Sequence, residues 1–388
     1  MATSASPTRT DWREEWFEFE DAIYLNLAGQ SPMPKVALRA VQAALVDKRY
    51  PHHRPDSAFY EIPNRIRASI AQLIGASPEE VAVTTGASAG VAEVAYALAW
   101  KPGDEVVTAA REFPLQYTLW KPMEAREGIT LKVVPPSGPF IAAEDLIAAL
   151  TPRTRVVSVS MVRFDDGSLL DAKKLASACH AQGALLVLDV SQCVGALPLN
   201  VRDLGADFVV SAGYKWLLGP FGTGFFWVKS ELLSSVRPAP FYWMAVEGSD
   251  NFSKLDFANP QPARSAKRWD ASEWASHFNF NLVGLDASLE FVLRFGPETV
   301  AEHNRRLIEM MFERLPKDRC VPASPLDPAH RGPYGCFAAR SAEKTVELYQ
   351  KLRIANVVVS LREGNIRVSP HLYNTERDID KLISVLTA

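Results

Sequence analysis

Cysteine is scarce in this chain: Cys179, Cys193, Cys320 and Cys336 are the four among 388 residues, and no two form a CxxC pair. That argues against a zinc ribbon, a thioredoxin-like redox pair or a disulfide framework, so reduced thiols are expected. Of the seven histidines only His52 and His53 are close neighbours, and HExxH spacing is missing, which leaves no metal-dependent mechanism to suggest. Long apolar runs are missing too; Ala184 to Val190 is far shorter than the ~18 residues of a membrane span and carries Asp189. Charge of one sign does not dominate, since 42 Lys and Arg against 45 Asp and Glu leave −3, too balanced for a strong electrostatic grip on nucleic acid. The N-terminus reaches Arg9, Asp11, Arg13, Glu14 and Glu15 without an apolar segment, which does not fit a secretory signal. A soluble, cytoplasmic protein without internal repeats or a low-complexity tail is expected.

The content that remains is ordinary for a globular protein, with 47% hydrophobic and 22% charged residues. At ~150 residues per domain the length suggests two or three domains. Apolar residues recur at helical intervals from Pro34 to Tyr50 and from Ile62 to Ile74, where Ile62, Ile66, Ile70 and Leu73 share one face. From Val81 onward short apolar runs alternate with helical segments in βαβ rhythm, through strands at Glu105 to Ala109, Leu131 to Val134, Arg155 to Ser160 and Ala184 to Leu188. A mostly parallel sheet covered on both faces by helices follows. Arg237 to Arg268 lacks periodicity and reads as loop and crossover; beyond it come two long helices, then strands and a closing helix from Glu376 to Leu386. The expected division is an N-terminal segment over residues 1–30 packing near the site, a large domain over 31–275, and a small α+β domain over 276–388.

Three places could carry chemistry. Lys215 lies between a strand end and a turn rich in glycine, Gly213 to Gly224. In a desolvated cleft such a lysine can form a Schiff base with an aldehyde, although taken alone it reads better as a solvated residue before a turn. Asp189 closes an apolar strand, Leu185 to Asp189, where it could hold a pyridinium nitrogen protonated or cap the next turn. Val83-Thr-Thr-Gly86-Ala87-Ser88 runs from strand to helix, where exposed amides suit a phosphate, or where Ser88 is simply an N-cap. No GxGxxG accompanies it, so a dinucleotide fold is disfavoured.

Phosphate cradle, strand-end aspartate and strand-end lysine, in that order, make a constellation for pyridoxal 5'-phosphate. Here the sequence resembles the class V aminotransferases of the fold-type I pyridoxal phosphate enzymes, which include cysteine desulfurases, kynureninases and isopenicillin N epimerase-like proteins. The likeness runs from about Tyr24 to the C-terminus and is most specific at Asp189 to Gln192, at Gly213 to Gly224, and at Ile366-Arg367-Val-Ser369-Pro-His-Leu-Tyr373-Asn374-Thr375. It implies that fold, with a large mostly parallel domain and a smaller α+β C-terminal domain, and a homodimer with sites at its interface. It makes Lys215 the Schiff-base lysine, Asp189 the partner of the pyridine nitrogen and Gln192 a contact of the phenolic oxygen. Ala87, Ser88, Ser211 and Tyr214 would bind phosphate, joined by Ser272 of a second subunit, while Phe113 stacks on the cofactor and Arg367 holds the substrate carboxylate.

The departures narrow the reading. Desulfurases usually carry His at the positions of Phe113 and Tyr214 and an Asn near Met161, and their sulfur-accepting cysteine lies on a loop before the C-terminal arginine, where this chain reads Ser360-Leu-Arg362-Glu-Gly364-Asn-Ile-Arg367. Sequence alone therefore disfavours a persulfide-forming desulfurase. It leans to a lyase that cleaves at Cβ, such as a C–S bond in a small amino acid, ahead of transamination, epimerisation and non-catalytic cofactor binding. Gln30, His52, His53 and Arg163 are possible pocket residues, each better explained as surface or structural, and Phe241, Tyr242 and Trp243 read as pocket wall, subunit contact or core.

Overall fold

The computed structural model describes residues 12–53, 55–236, 242–254, 258–270 and 280–388. Along the chain a short strand β1 (Ile23–Tyr24) precedes helices α1 (Lys35–Asp47) and α2 (Ala58–Ile74). Ile66, Ile70 and Leu73 of α2 are buried, and the helix stops at Gly75, whose φ of 67° is a left-handed conformation suited to glycine. There follow β2 (Val81–Thr84), α3 (Ala87–Ala97), β3 (Glu105–Ala109), α4 (Leu115–Glu127), β4 (Thr130–Val134), α5 (Ala143–Ala148), β5 (Thr154–Ser160), α6 (Ala172–Ala181), β6 (Leu185–Asp189), α7 (Val201–Leu204), β7 (Phe208–Ala212) and β8 (Gly224–Val228).

These strands form one seven-stranded sheet in the order β2-β8-β7-β6-β5-β3-β4. All neighbours are parallel except β8, which runs antiparallel to both β2 and β7. The strands read as nearly continuous apolar runs because both faces are covered, and their alternation divides the core in two. Leu186, Leu188, Val157, Val159, Phe225 and Trp227 enter one cluster; Val187, Val156, Phe208, Val210 and Phe226 enter the other.

The C-terminal part comprises α8 (Phe280–Phe295), α9 (Pro297–Arg314), β9 (Cys320–Pro322), β10 (Gly335–Ala339), α10 (Ala342–Ile354), β11 (Val357–Val358), β12 (Ser360–Arg362), β13 (Asn365–Val368) and α11 (Glu376–Thr387). A four-stranded antiparallel sheet, β12-β13-β10-β9, packs under α9, α10 and α11 around Leu307, Phe337, Leu352, Ile366 and Leu382. Helix α8 instead gives Leu285, Leu289 and Val292 to the large sheet's core. The N-terminal segment ties the two together: β1 pairs in parallel with β11, Leu25 joins the C-terminal core, and Leu27 and Ala28 join that of the large sheet. Among the described residues no helix is long and apolar enough to cross a membrane.

Candidate active site

Parallel strands end together, so the residues at or just past the carboxyl ends of β3, β5, β6 and β7 meet on one rim. Phe113 follows β3, Ser160 closes β5, Asp189 closes β6 and Lys215 follows β7; together with Val162, Phe164, Ser191 and Gln192 they line one small cavity.

The lysine is held by its turn. Gly213 N–H donates to the Thr223 carbonyl (2.7 Å), Gly219 N–H to the Gly213 carbonyl (2.9 Å) and Leu218 N–H to the Lys215 carbonyl (3.0 Å). A side chain at Gly213 would come within 2.3 Å of Thr223 Oγ1, so the glycine permits the closure. Lys215 is buried, its Nζ 5.3 Å from the centre of the Phe113 ring and 5.8 Å from that of Tyr214. Burial brings its pKa down to about 8, against the pull of Asp189 and with help from the positive charges of Arg367 and Arg362. The amine is thus partly neutral near physiological pH, as a nucleophile toward an aldehyde requires.

Asp189 is buried, and its Oδ1 accepts the Ser191 N–H at 2.8 Å. Gln192 is fixed at both ends, Nε2 donating to the Ala28 carbonyl (3.1 Å) and Oε1 accepting from Trp216 Nε1 (3.2 Å). Ser211 is buried at the end of β7 and its hydroxyl donates to the Ala212 carbonyl at 3.0 Å. Tyr214 is half-buried with its ring 4.6 Å from Phe221, and burial raises its pKa, with Asp189 adding. Its carbonyl accepts both the N–H and the hydroxyl of Ser31, so the stretch before α1 touches Gln192 through Ala28 and Tyr214 through Ser31.

Helix α3 begins at Ala87 with Gly86 at its N-cap, while Ser88 is exposed in the first turn and does not cap. Gly86 has φ 149° and open space where a side chain would be. Behind it, a Cβ on Gly224 would lie 2.3 Å from the Ser211 carbonyl and 2.6 Å from Gly86 Cα, so only glycine lets β8 run this close to the helix start.

Arg367 is buried on β13; one terminal nitrogen donates to the Phe164 carbonyl at 2.9 Å, the guanidinium lies over the Tyr334 ring at 5.5 Å, and among the described residues Nε has no hydrogen-bond partner. Such a cation is costly unless an anion completes it.

Four sequence candidates are not among the residues lining the Lys215 cavity. Gln30, His52 and His53 are exposed, and Arg163 is a buried structural cation whose guanidinium contacts Glu112 at 3.0 Å and donates to the Ala110 and Arg111 carbonyls. Ser272 and Phe241 fall outside the described residues. Sequence reasoning passed over Glu112, whose carboxylate accepts from Ser160 N–H (3.0 Å), Ser160 Oγ (2.7 Å) and Phe113 N–H (3.1 Å) and so anchors the aromatic residue at the cavity. Its one signal was its place directly before Phe113.

The model of the family described as Aminotransferase class-V matches residues 23–382. The chain belongs to the class V aminotransferase family. Its relatives include an uncharacterized protein of Schizosaccharomyces pombe, 30% identical over 94% of this chain and 83% of the other. Isopenicillin N epimerase of Streptomyces clavuligerus is 27% identical over 94% of each. In fold the chain is similar to a cysteine desulfurase from Thermococcus onnurineus NA1, with a TM-score of 0.83 and 20% identity over 98% of both chains. This is a fold-type I architecture, and the cofactor of this class V family member is pyridoxal 5'-phosphate. The residues present fit that group: an amine in a cavity beneath an aromatic ring, a carboxylate at the neighbouring strand end, a helix start with open space before it, and a buried guanidinium whose Nε is unpartnered among the described residues.

Proposed function

We propose that this pyridoxal phosphate enzyme acts on a small amino acid and breaks a bond at Cβ, a C–S bond in a cysteine derivative being the preferred case. The observation that carries an amino-acid substrate is the buried Arg367, whose positive charge is felt at Lys215 and whose Nε has no hydrogen-bond partner among the described residues. In this reading Lys215 holds the cofactor, Asp189 pairs with its pyridine nitrogen and Gln192 contacts its phenolic oxygen. Phe113 stacks on the ring, and Ala87, Ser88, Ser211 and Tyr214 take the phosphate with Ser272 of a second subunit. Bound there, the cofactor acts as an electron sink for the substrate Cα. Arg367 would hold the α-carboxylate and so orient the substrate, binding supplying the orientation. Lys215 Nζ takes the α-proton, a task suited to an amine with a pKa of about 8.

A persulfide-forming desulfurase is not the reading we favour. All four cysteines are buried, and burial pushes the Cys336 thiol, opposite Arg367 on β10, up to about 12. Incubating the holoenzyme with L-amino acids and cysteine conjugates, while following spectrum and products, tests the proposal. Pyruvate and ammonia from a conjugate would support it; a released 2-oxo acid with the cofactor left in its amine form would replace it with transamination, and loss of optical purity with epimerisation. The homodimer proposed with it predicts a sedimentation mass of two chains; a monomer with full cofactor occupancy would remove Ser272 from the site.

A further inference from the structure

Strands β12 and β13 form a tight hairpin in which Arg362 pairs with Asn365 across Glu363 (φ 46°) and Gly364 (φ 82°), and Ser360 pairs with Arg367. Opposed residues of an antiparallel pair point to the same side, as do residues two apart on one strand. Ser360, Arg362, Asn365 and Arg367 therefore share one face. Two hydrogen bonds identify it: Arg367 donates to the Phe164 carbonyl (2.9 Å) and Asn365 Nδ2 to the Asp165 carbonyl (3.1 Å), so the face looks onto the segment whose Phe164 lines the Lys215 cavity. Arg362 belongs to that side of the sheet, and its positive charge is felt at both Lys215 and Arg367.

The charge balance around this face is uneven. Arg111 takes Asp165 at 2.6 Å, Arg163 takes Glu112, and Asp166 is bonded to the Ser168 N–H. Arg362 donates to the neighbouring Leu361 carbonyl and Arg367 to that of Phe164; among the described residues neither meets a carboxylate. Two guanidiniums on one face without an acid between them repel each other, and an anionic ligand at each relieves that.

We propose that the substrate carries a second acidic group beyond its α-carboxylate and that Arg362 binds it, Arg367 keeping the α-carboxylate. The substrate class is an L-amino acid with an anionic side chain, including a cysteine conjugate whose leaving group bears a carboxylate. This rests on the amino-acid reading of the site given above.

The experiment titrates the holoenzyme spectrophotometrically with acid and amide isosteres: S-carboxymethyl- against S-carbamoylmethyl-L-cysteine, aspartate against asparagine, glutamate against glutamine. One charge-assisted contact sets a preference for the best acid over its amide on the order of 10- to 100-fold. Arg362→Ala should bring that ratio close to one and Arg362→Lys should restore part of it, with the cofactor's absorbance and borohydride fixation at Lys215 showing that each variant is folded and loaded. Amides bound as tightly as acids, or a preference untouched by Arg362→Ala, would overturn the subsite and leave the amino-acid reading intact. A loaded protein whose spectrum answers to no amino acid would overturn both.

Discussion

Glu112 and Arg163 form an ion pair at 3.0 Å in which both side chains are almost wholly shielded from water. Glu112 also accepts the Phe113 N–H, so the pair fixes the aromatic residue that stands 5.3 Å from Lys215 Nζ. Truncating one partner leaves a buried charge unpaired. Arg163→Ala should therefore lower stability by about 3–5 kcal/mol, measured by denaturant unfolding of the apoprotein. It should also weaken cofactor binding; a loss below about 1 kcal/mol would mean that the pair is dispensable.

His371 supplies an acid-sensitive element. Its ring is buried among Trp16, Trp216, Phe295 and Tyr373, neither nitrogen has a hydrogen-bond partner among the described residues, and burial drives its pKa down to about 3. Between that value and the ordinary value of 6.5 the unfolded chain binds a proton that the native state refuses. Its contribution is thus lost as pH falls through 6.5, at up to about 1.4 kcal/mol per pH unit. Comparing His371→Phe with the parent by denaturant unfolding from pH 7 to 5 should show a shallower decline in the variant; parallel curves would mean that another group sets the slope.

Lys215 predicts how the apoprotein captures its cofactor. Only the neutral amine attacks an aldehyde, so the rate should rise with pH and level off above about 8 rather than above 10. Stopped-flow absorbance measures this. Lys215→Ala should abolish borohydride fixation of the cofactor to the chain, and labelling that persisted would place the attachment at another lysine.

Arg367→Ala should raise KM for amino acids on the order of 100-fold or more, since the change removes a charged, bidentate-capable contact from a buried site. Steady-state kinetics at saturating cofactor would show it. An unchanged KM would mean that the substrate is an amine without an α-carboxylate.

Much of this site was legible in the sequence because its key residues sit at strand ends. Asp189 closes an apolar run and Lys215 follows the next one across a glycine turn, and a parallel sheet brings such positions to one rim without any knowledge of distant contacts. The order Gly86–Ser88, Asp189, Lys215 therefore marked a candidate site from local pattern, and βαβ rhythm indicated a sheet covered on both faces. Tertiary structure decided what depends on pairing between remote segments. That Gln192 is clamped by Ala28 and Trp216, that Arg163 is spent on Glu112 rather than on a substrate, and that α8 packs into the large sheet's core are outcomes of burial and of non-consecutive strand register. The same holds for Arg362: in sequence it is one charge in a turn, and only its pairing with Asn365 puts it on the face of the sheet that carries Arg367, because a shift of one residue in that register would point it the other way.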